Sequence, residues 1–130
     1  MERLLHFRSV SFPVRIREKS FLARLAARHL GYGHVAMVVG STIYLHNVNV
    51  ATFLARPSWV VHELKHVDQY KEHGFFGFLW KYLRDYLKNG YWNNRFEREA
   101  RAAESDWSLL RRYDLSPYIP EGHAIRIHLT

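Results

Sequence analysis

Alternation and helical periodicity divide the chain into a β-rich beginning and a helical remainder. Residues 10–16 place Val10, Phe12, Val14 and Ile16 at every second position, with Ser11 and Arg15 between them, which predicts a half-buried strand. Pro13 has no amide hydrogen and assigns that strand to a sheet edge. Ser20 is placed to cap a helix carrying Phe21, Leu22, Leu25 and Leu30, which Gly31 and Gly33 end. Two β-rich runs follow, Val35 to Val39 and Thr42 to Leu45. They are separated by Gly40-Ser41, a two-residue hairpin signal with glycine first.

From Pro57 onward the pattern is helical. Pro57 suits the first turn of a helix predicted to run to His73, where Gly74 stops it. A second helix is predicted from about Phe75 to Lys88. Its apolar and aromatic side chains cover a wide arc, and Lys81, Arg84, Asp85 and Lys88 form the polar stripe. Such an arc suits either a membrane surface or an interior, and a small domain needs its aromatics inside, so the expectation is burial in the core. Asn89-Gly90 ends this helix, and a third is predicted from about Asn94 to Arg112. The tail, with Pro117 and Pro120, offers only a short alternating stretch from Ala124 to Leu129. With no repeat and no linker, residues 1–130 read as one α+β domain.

Composition narrows the function classes. A chain that is 48% hydrophobic and 24% charged is neither disordered nor low-complexity. The absence of cysteine excludes a disulfide, a thiolate cage and a Cys nucleophile, so any metal site must be built from His and carboxylate. The 19 Lys and Arg against 12 Asp and Glu give a net charge of +7, densest over residues 1–28. Those bases carry neither a helix-turn-helix pattern nor an aromatic stacking motif. A basic nucleic-acid-binding domain is therefore the least favoured reading, and no specific nucleic-acid partner is expected. The Arg-rich start alternates like a strand and runs into a predicted helix, unlike a targeting peptide, and no apolar run reaches the roughly 18 residues of a membrane span. The expected location is cytoplasmic. No feature selects an oligomeric state.

The chemistry lies in the helix that begins at Pro57, which contains His62-Glu63-Leu64-Lys65-His66, an HExxH match. Four residues advance a helix by about 400°, so the two imidazoles stand about 40° apart on one face and roughly 6 Å along the axis, close enough to share one metal ion. Glu63 lies about 100° from His62, at the flank where a reacting water would sit. A zinc that keeps one position open needs a third protein ligand. His73 stands roughly 10 Å beyond His66 on a continuous helix and cannot reach the same ion. The longer HExxHxxGxxH variant is excluded, because Gln69 and Glu72 stand where the glycine and last histidine would be. A carboxylate from another helix remains, and Phe96-Glu97-Arg98-Glu99-Ala100-Arg101 supplies two candidates. Glu97 and Glu99 border opposite edges of the stripe Phe96, Ala100, Ala103, Trp107 and Leu110, so periodicity leaves both open.

With HExxH followed by a Glu on a later helix, residues 35–104 resemble the gluzincin class of zinc peptidases, and the size and element order look like the small single-domain minigluzincins. The resemblance implies a zincin-like α+β fold with a small mixed sheet, an active-site helix at 57–73 and a ligand helix at 94–112. It implies zinc held by His62, His66 and Glu97, the first Glu of an ExEA-like segment. Glu63 would be the general base for a metal-bound water in hydrolysis of a peptide or protein substrate. Where the family often has an Asp that holds a zinc-binding His, this chain has Arg101, which cannot accept an imidazole N–H, so that support must come from elsewhere. In zincins generally the strand before the active helix lies at the sheet edge and pairs with the substrate, which here points to Thr42 to His46. Tyr91, Tyr113 and His123 are candidate donors to an oxyanion. A catalytically inactive scaffold of the same fold is the alternative. His6, His29, His34, His46 and His128 have no ligand-like partners at short spacing and read as ordinary surface or hydrogen-bonded residues. Gln69 and His73 share the face of His66 and are expected to line the cleft.

Overall fold

A computed structural model describes residues 11–119. The fold is mixed α+β, with two short strands β1 (Phe12–Pro13) and β2 (Arg15–Arg17), then helix α1 (Phe21–Leu30), hairpin β3 (Val35–Val39) and β4 (Thr42–His46), and helices α2 (Val50–Leu54), α3 (Pro57–His73) and α4 (Phe75–Asn89). The chain continues through α5 (Arg95–Ala102) and α6 (Ser108–Arg112) to β5 (Tyr113–Asp114) and a 3-10 turn at Ser116–Tyr118.

The first predicted strand is divided. Arg15–Arg17 pairs parallel with β4, whereas Phe12–Pro13 pairs parallel with β5 in a separate two-stranded ribbon. Val14 and Ile16 are buried as expected, Phe12 is exposed, and Val10 lies outside the described residues. The three-stranded sheet has the order β2-β4-β3, with β3 and β4 antiparallel around Gly40 at φ 65°. This corrects the expected edge: β4 (Thr42–His46) is the central strand, paired on both sides, and β2 and β3 are the sheet's edges among the described residues. The reason is the return of residues 15–17 alongside β4, a long-range pairing that alternation alone cannot reveal.

Ser20 caps α1 by accepting from the Ala23 N–H at 3.1 Å, and Gly31 closes the helix in the left-handed conformation. The face of α1 against the sheet is Ala23 and Ala27; Phe21, Leu22 and Leu25 are exposed. Helix α2 was not expected, although Asn49 marks its start by accepting from the Thr52 N–H at 2.7 Å. Helix α3 has the predicted limits, with Pro57 in its first turn and Gly74 at φ 79° beyond its end. Its Val60, Val61, Leu64 and Val67 are fully buried and form the centre of the core with Ile43, Leu45 and Phe53.

Two expectations for the later helices fail. The aromatic arc of α4 is not buried: Phe78 is, Tyr82 and Tyr86 are partly so, and the large side chains on the rest of the arc face solvent. This peripheral helix meets α3 and α5 along one side, and no further layer among the described residues covers the other. The helix predicted over 94–112 is interrupted at residues 103–107. There Asp106 accepts from both the Ser108 backbone N–H and hydroxyl, a local side-chain bond that competes with continued helix. The turn also shifts the apolar phase, so Leu109 is buried in α6 in place of a fully buried Leu110. The stretch from Ala124 to Leu129 lies outside the described residues.

Candidate metal centre

Two helices and the corner before the second build the site. On α3, His62 and His66 face the same direction one turn apart, with ring centroids separated by 5.1 Å. The corner between α4 and α5 is fixed by the fully buried Asn94, which accepts from the Phe96 N–H at 2.8 Å and donates to the Tyr82 carbonyl at 3.1 Å. Phe96 anchors α5 in the core, and Ala100, fully buried, lets α5 approach α3 closely. Glu97 is thereby directed at the histidine pair.

The convergence is direct. Glu97 Oε1 lies 3.0 Å from His62 Nε2 and 3.2 Å from His66 Nε2, while its Oε2 accepts from the Tyr82 hydroxyl at 2.6 Å. One ligand atom from each of His62, His66 and Glu97 lies within 4.8 Å of the other two. Tetrahedral zinc with bonds near 2.0 Å places its ligand atoms about 3.3 Å apart, which the two nitrogen–oxygen separations match, and the donor set suits such an ion. Glu99 is not in the group; it is exposed and accepts from the Gln69 amide at 3.0 Å.

Hydrogen bonds around the pair define which ring nitrogens face inward. The Gln69 amide donates to the Phe96 carbonyl and to Glu99, both at 3.0 Å, so its oxygen is left to accept from His66 Nδ1–H at 2.8 Å. His62 Nδ1–H donates to Glu104 Oε2 at 2.8 Å. Each ring is therefore oriented with Nε2 toward Glu97, the arrangement by which an outer partner fixes the tautomer of a metal-binding imidazole. The support that Arg101 cannot give comes, as expected, from elsewhere: Glu104 and Gln69. Arg101 instead stacks on Trp92 and donates to the Trp92 carbonyl. Glu104 was not among the sequence candidates, although it stands seven residues after Glu97, a spacing that puts it on nearly the same helical face. Gln69 had been expected only to line the cleft, yet it is wholly buried and joins α3 to α5.

Electrostatics follow from burying one carboxylate among two imidazoles. Burial alone pulls the His62 pKa down, but the hydrogen bond to Glu97, the charge of Glu63 and the hydrogen bond to Glu104 outweigh it and hold the imidazole at about 9. His66 is raised by the same contest between burial and Glu97. Burial pushes Glu97 up, while its bonds from His62, His66 and Tyr82 prevail and keep it well below the usual carboxylate range. Glu63 is buried beside the group and bonded by Trp59. Desolvation is its dominant influence and lifts it to about 7, in the range suited to exchanging protons near neutrality.

These residues border a cavity of about 290 Å³ between β3, α1, α3 and α4, whose wall includes Glu63, Tyr82 and Tyr91. Tyr91 is kept protonated by burial and by the nearby carboxylates, and so remains a hydroxyl donor. Tyr113 is removed from the candidate donors: it is buried elsewhere and donates to Asp68, which also takes Arg112. His123 lies outside the described residues, as do His6 and His128. His73 accepts from Lys81 at 3.0 Å, and its ring packs on Phe78 and Phe96. His29 pairs with the Tyr86 hydroxyl. His34 and His46 line a larger concavity of about 710 Å³, where no metal-holding His-carboxylate group converges among the described residues. Volume alone would favour that concavity; the ligand geometry favours the smaller one.

No protein-family model, curated protein or solved structure matches the chain, and the functional reading rests on geometry and chemistry. Among the described residues no helix is long and apolar enough to cross a membrane.

Glu104→Ala should weaken zinc affinity about 10- to 100-fold through loss of its hold on His62, with helix content unchanged. Competition against a zinc-chelating dye measures this, and an unchanged affinity would remove Glu104 from the site.

Proposed function

We propose that this chain is a zincin-like, gluzincin-type metallopeptidase domain that hydrolyses peptide bonds. The observation that carries the proposal is the convergence of His62, His66 and Glu97 at the wall of a cavity that also holds buried Glu63. Two imidazoles and one carboxylate, with a coordination position to spare, are the donor set of catalytic zinc. Zinc, when bound, supplies a Lewis acid that polarises a carbonyl and acidifies water.

The chain's own residues account for the remaining requirements. Glu63 accepts a proton from the attacking water at its carboxylate and returns it to the departing amine nitrogen. Glu104 and Gln69 hold the imidazoles in register, and Tyr82 orients Glu97. Tyr91 is the hydroxyl donor best placed to meet negative charge developing on the carbonyl oxygen. The strand β3, an edge of the sheet among the described residues and a wall of the cavity, takes the peptide-pairing role in place of Thr42 to His46. Incubation of the purified protein with a diverse peptide library, with and without a chelator, tests the reading. Cleavage that ceases on chelation supports it; a zinc-loaded protein that cleaves nothing supports the second reading, a metal-holding scaffold, which the small cavity volume favours.

Proton competition sets the pH dependence. The folded-state pKa of His62, about 9, lies above its ordinary value of 6.5, so protonation stabilises the metal-free fold. That contribution is full below about 6.5 and is lost as pH rises through about 9. Glu63, raised from 4.5 to about 7, acts in the same direction over its own window. Chelated protein should therefore melt several degrees lower at about pH 9.5 than near neutrality. Zinc binding needs the deprotonated imidazole and has the opposite trend: affinity should strengthen up to tenfold per unit from pH 7 to about 9. Thermal melts and zinc titrations across this interval check both signs.

A further inference from the structure

The outward face of α4 is an apolar stripe with a cationic border. Phe76, Trp80, Leu83 and Leu87 recur at helical spacing and are 79, 63, 48 and 76% exposed. Scattered exposed apolar residues are ordinary, but four large ones in one row are not. Helix α1 repeats the arrangement, with Leu22 and Leu25 exposed and the small Ala23 and Ala27 against the sheet. The two helices are tied by the 2.6 Å contact between His29 and the Tyr86 hydroxyl.

Charge distinguishes among possible occupants. Arg84 and Lys88 border the stripe on α4, and Arg24 and Arg28 border it on α1; all four are exposed. The single acid on the two helices, Asp85, is turned toward α5, where it accepts from the Arg95 N–H at 2.7 Å. A symmetric pairing with a second copy would set these cations against their own kind on a chain of net charge +7. An anionic bilayer instead offers hydrocarbon to the stripe and phosphate to its border, and Trp80 is the side-chain type that settles at headgroup depth.

We propose that α4 and the adjoining face of α1 dock on an anionic phospholipid surface, with α4 lying in the interface plane. Neither helix is long and apolar enough to span the bilayer. His29 on α1, with Leu79 and Tyr86 on α4, also lines the cavity that holds Glu63, so docking brings that cavity to the lipid surface. Docking needs no metal and stands apart from the hydrolytic reading.

Co-sedimentation of the full chain with phosphatidylcholine vesicles, with or without phosphatidylglycerol, tests the proposal. The protein should pellet only with the anionic vesicles, with a blue shift of tryptophan emission and no change on chelation. The double variants Trp80→Ser/Leu83→Ser and Arg84→Gln/Lys88→Gln should each lower partitioning about tenfold or more, with native circular dichroism. Three results would overturn docking. One is protein that stays in the supernatant with both vesicle types. Another is equal pelleting of the serine variant, which would mean charge adsorption alone. The third is a dimer by sedimentation that the serine variant disperses, which would assign the face to a second copy.

Discussion

Replacing Glu63 by Gln is expected to lower peptide hydrolysis by about 10³-fold or more while leaving zinc content unchanged. The two halves of this expectation have separate causes. Gln fills the same volume and its carbonyl can accept the Trp59 indole N–H, so the wall of the cavity is preserved, but an amide cannot take a proton from water. Glu63 is also outside the converging His62, His66 and Glu97 group, so its charge is not needed to hold the ion. A carboxylate lifted to about 7 by burial costs the fold stability once ionised, and the Gln variant should therefore be at least as stable as the parent at pH 8 when chelated. Initial rates on the cleaved library peptides, zinc per chain by elemental analysis and thermal melts read the three quantities. Full activity in the variant would refute the assigned role; loss of zinc with activity would make Glu63 a ligand.

Glu97→Ala is expected to weaken zinc binding by more than 100-fold, whereas Glu99→Ala should change it by less than about threefold. Glu97 accepts from both imidazoles through one oxygen, so its removal leaves only two ligands. Glu99 contacts the centre only through the far side of Gln69. A second readout is independent of metal. Burial is the largest influence on His62 and acts downward, opposed chiefly by Glu97. Without that carboxylate the imidazole pKa should fall from about 9 toward or below its ordinary 6.5 in chelated protein, which proton NMR titration of the ring follows. Glu97→Gln keeps an acceptor for the Tyr82 hydroxyl and repeats the measurement if the alanine variant is too unstable.

The limits of α3 were legible because they depend on local chemistry: proline in the first turn, glycine after the last, and apolar residues at helical spacing between them. The same holds for the β3–β4 hairpin and the Ser20 cap. Legibility failed where a neighbour distant in sequence decides. Pairing of residues 15–17 with β4 made the expected edge strand central. The outward face of α4 has the composition of a core helix, and periodicity cannot report whether anything packs on it. At the site, a competing Asp106 side chain broke the predicted 94–112 helix, and only the packing of α5 on α3 shows that Glu104, seven residues after Glu97, meets His62.

The sequence alone determined that two imidazoles and an acid share a helix, because a 3.6-residue turn fixes the relative direction of side chains three and four positions apart. Only the tertiary structure decided that Glu97 rather than Glu99 faces them, and that Glu104, Gln69 and Tyr82 hold the cluster in place. Those choices depend on the crossing of α3 with α5 and the anchoring of Phe96. Such packing is a property of surfaces brought together across the chain, whereas local periodicity constrains each element by itself.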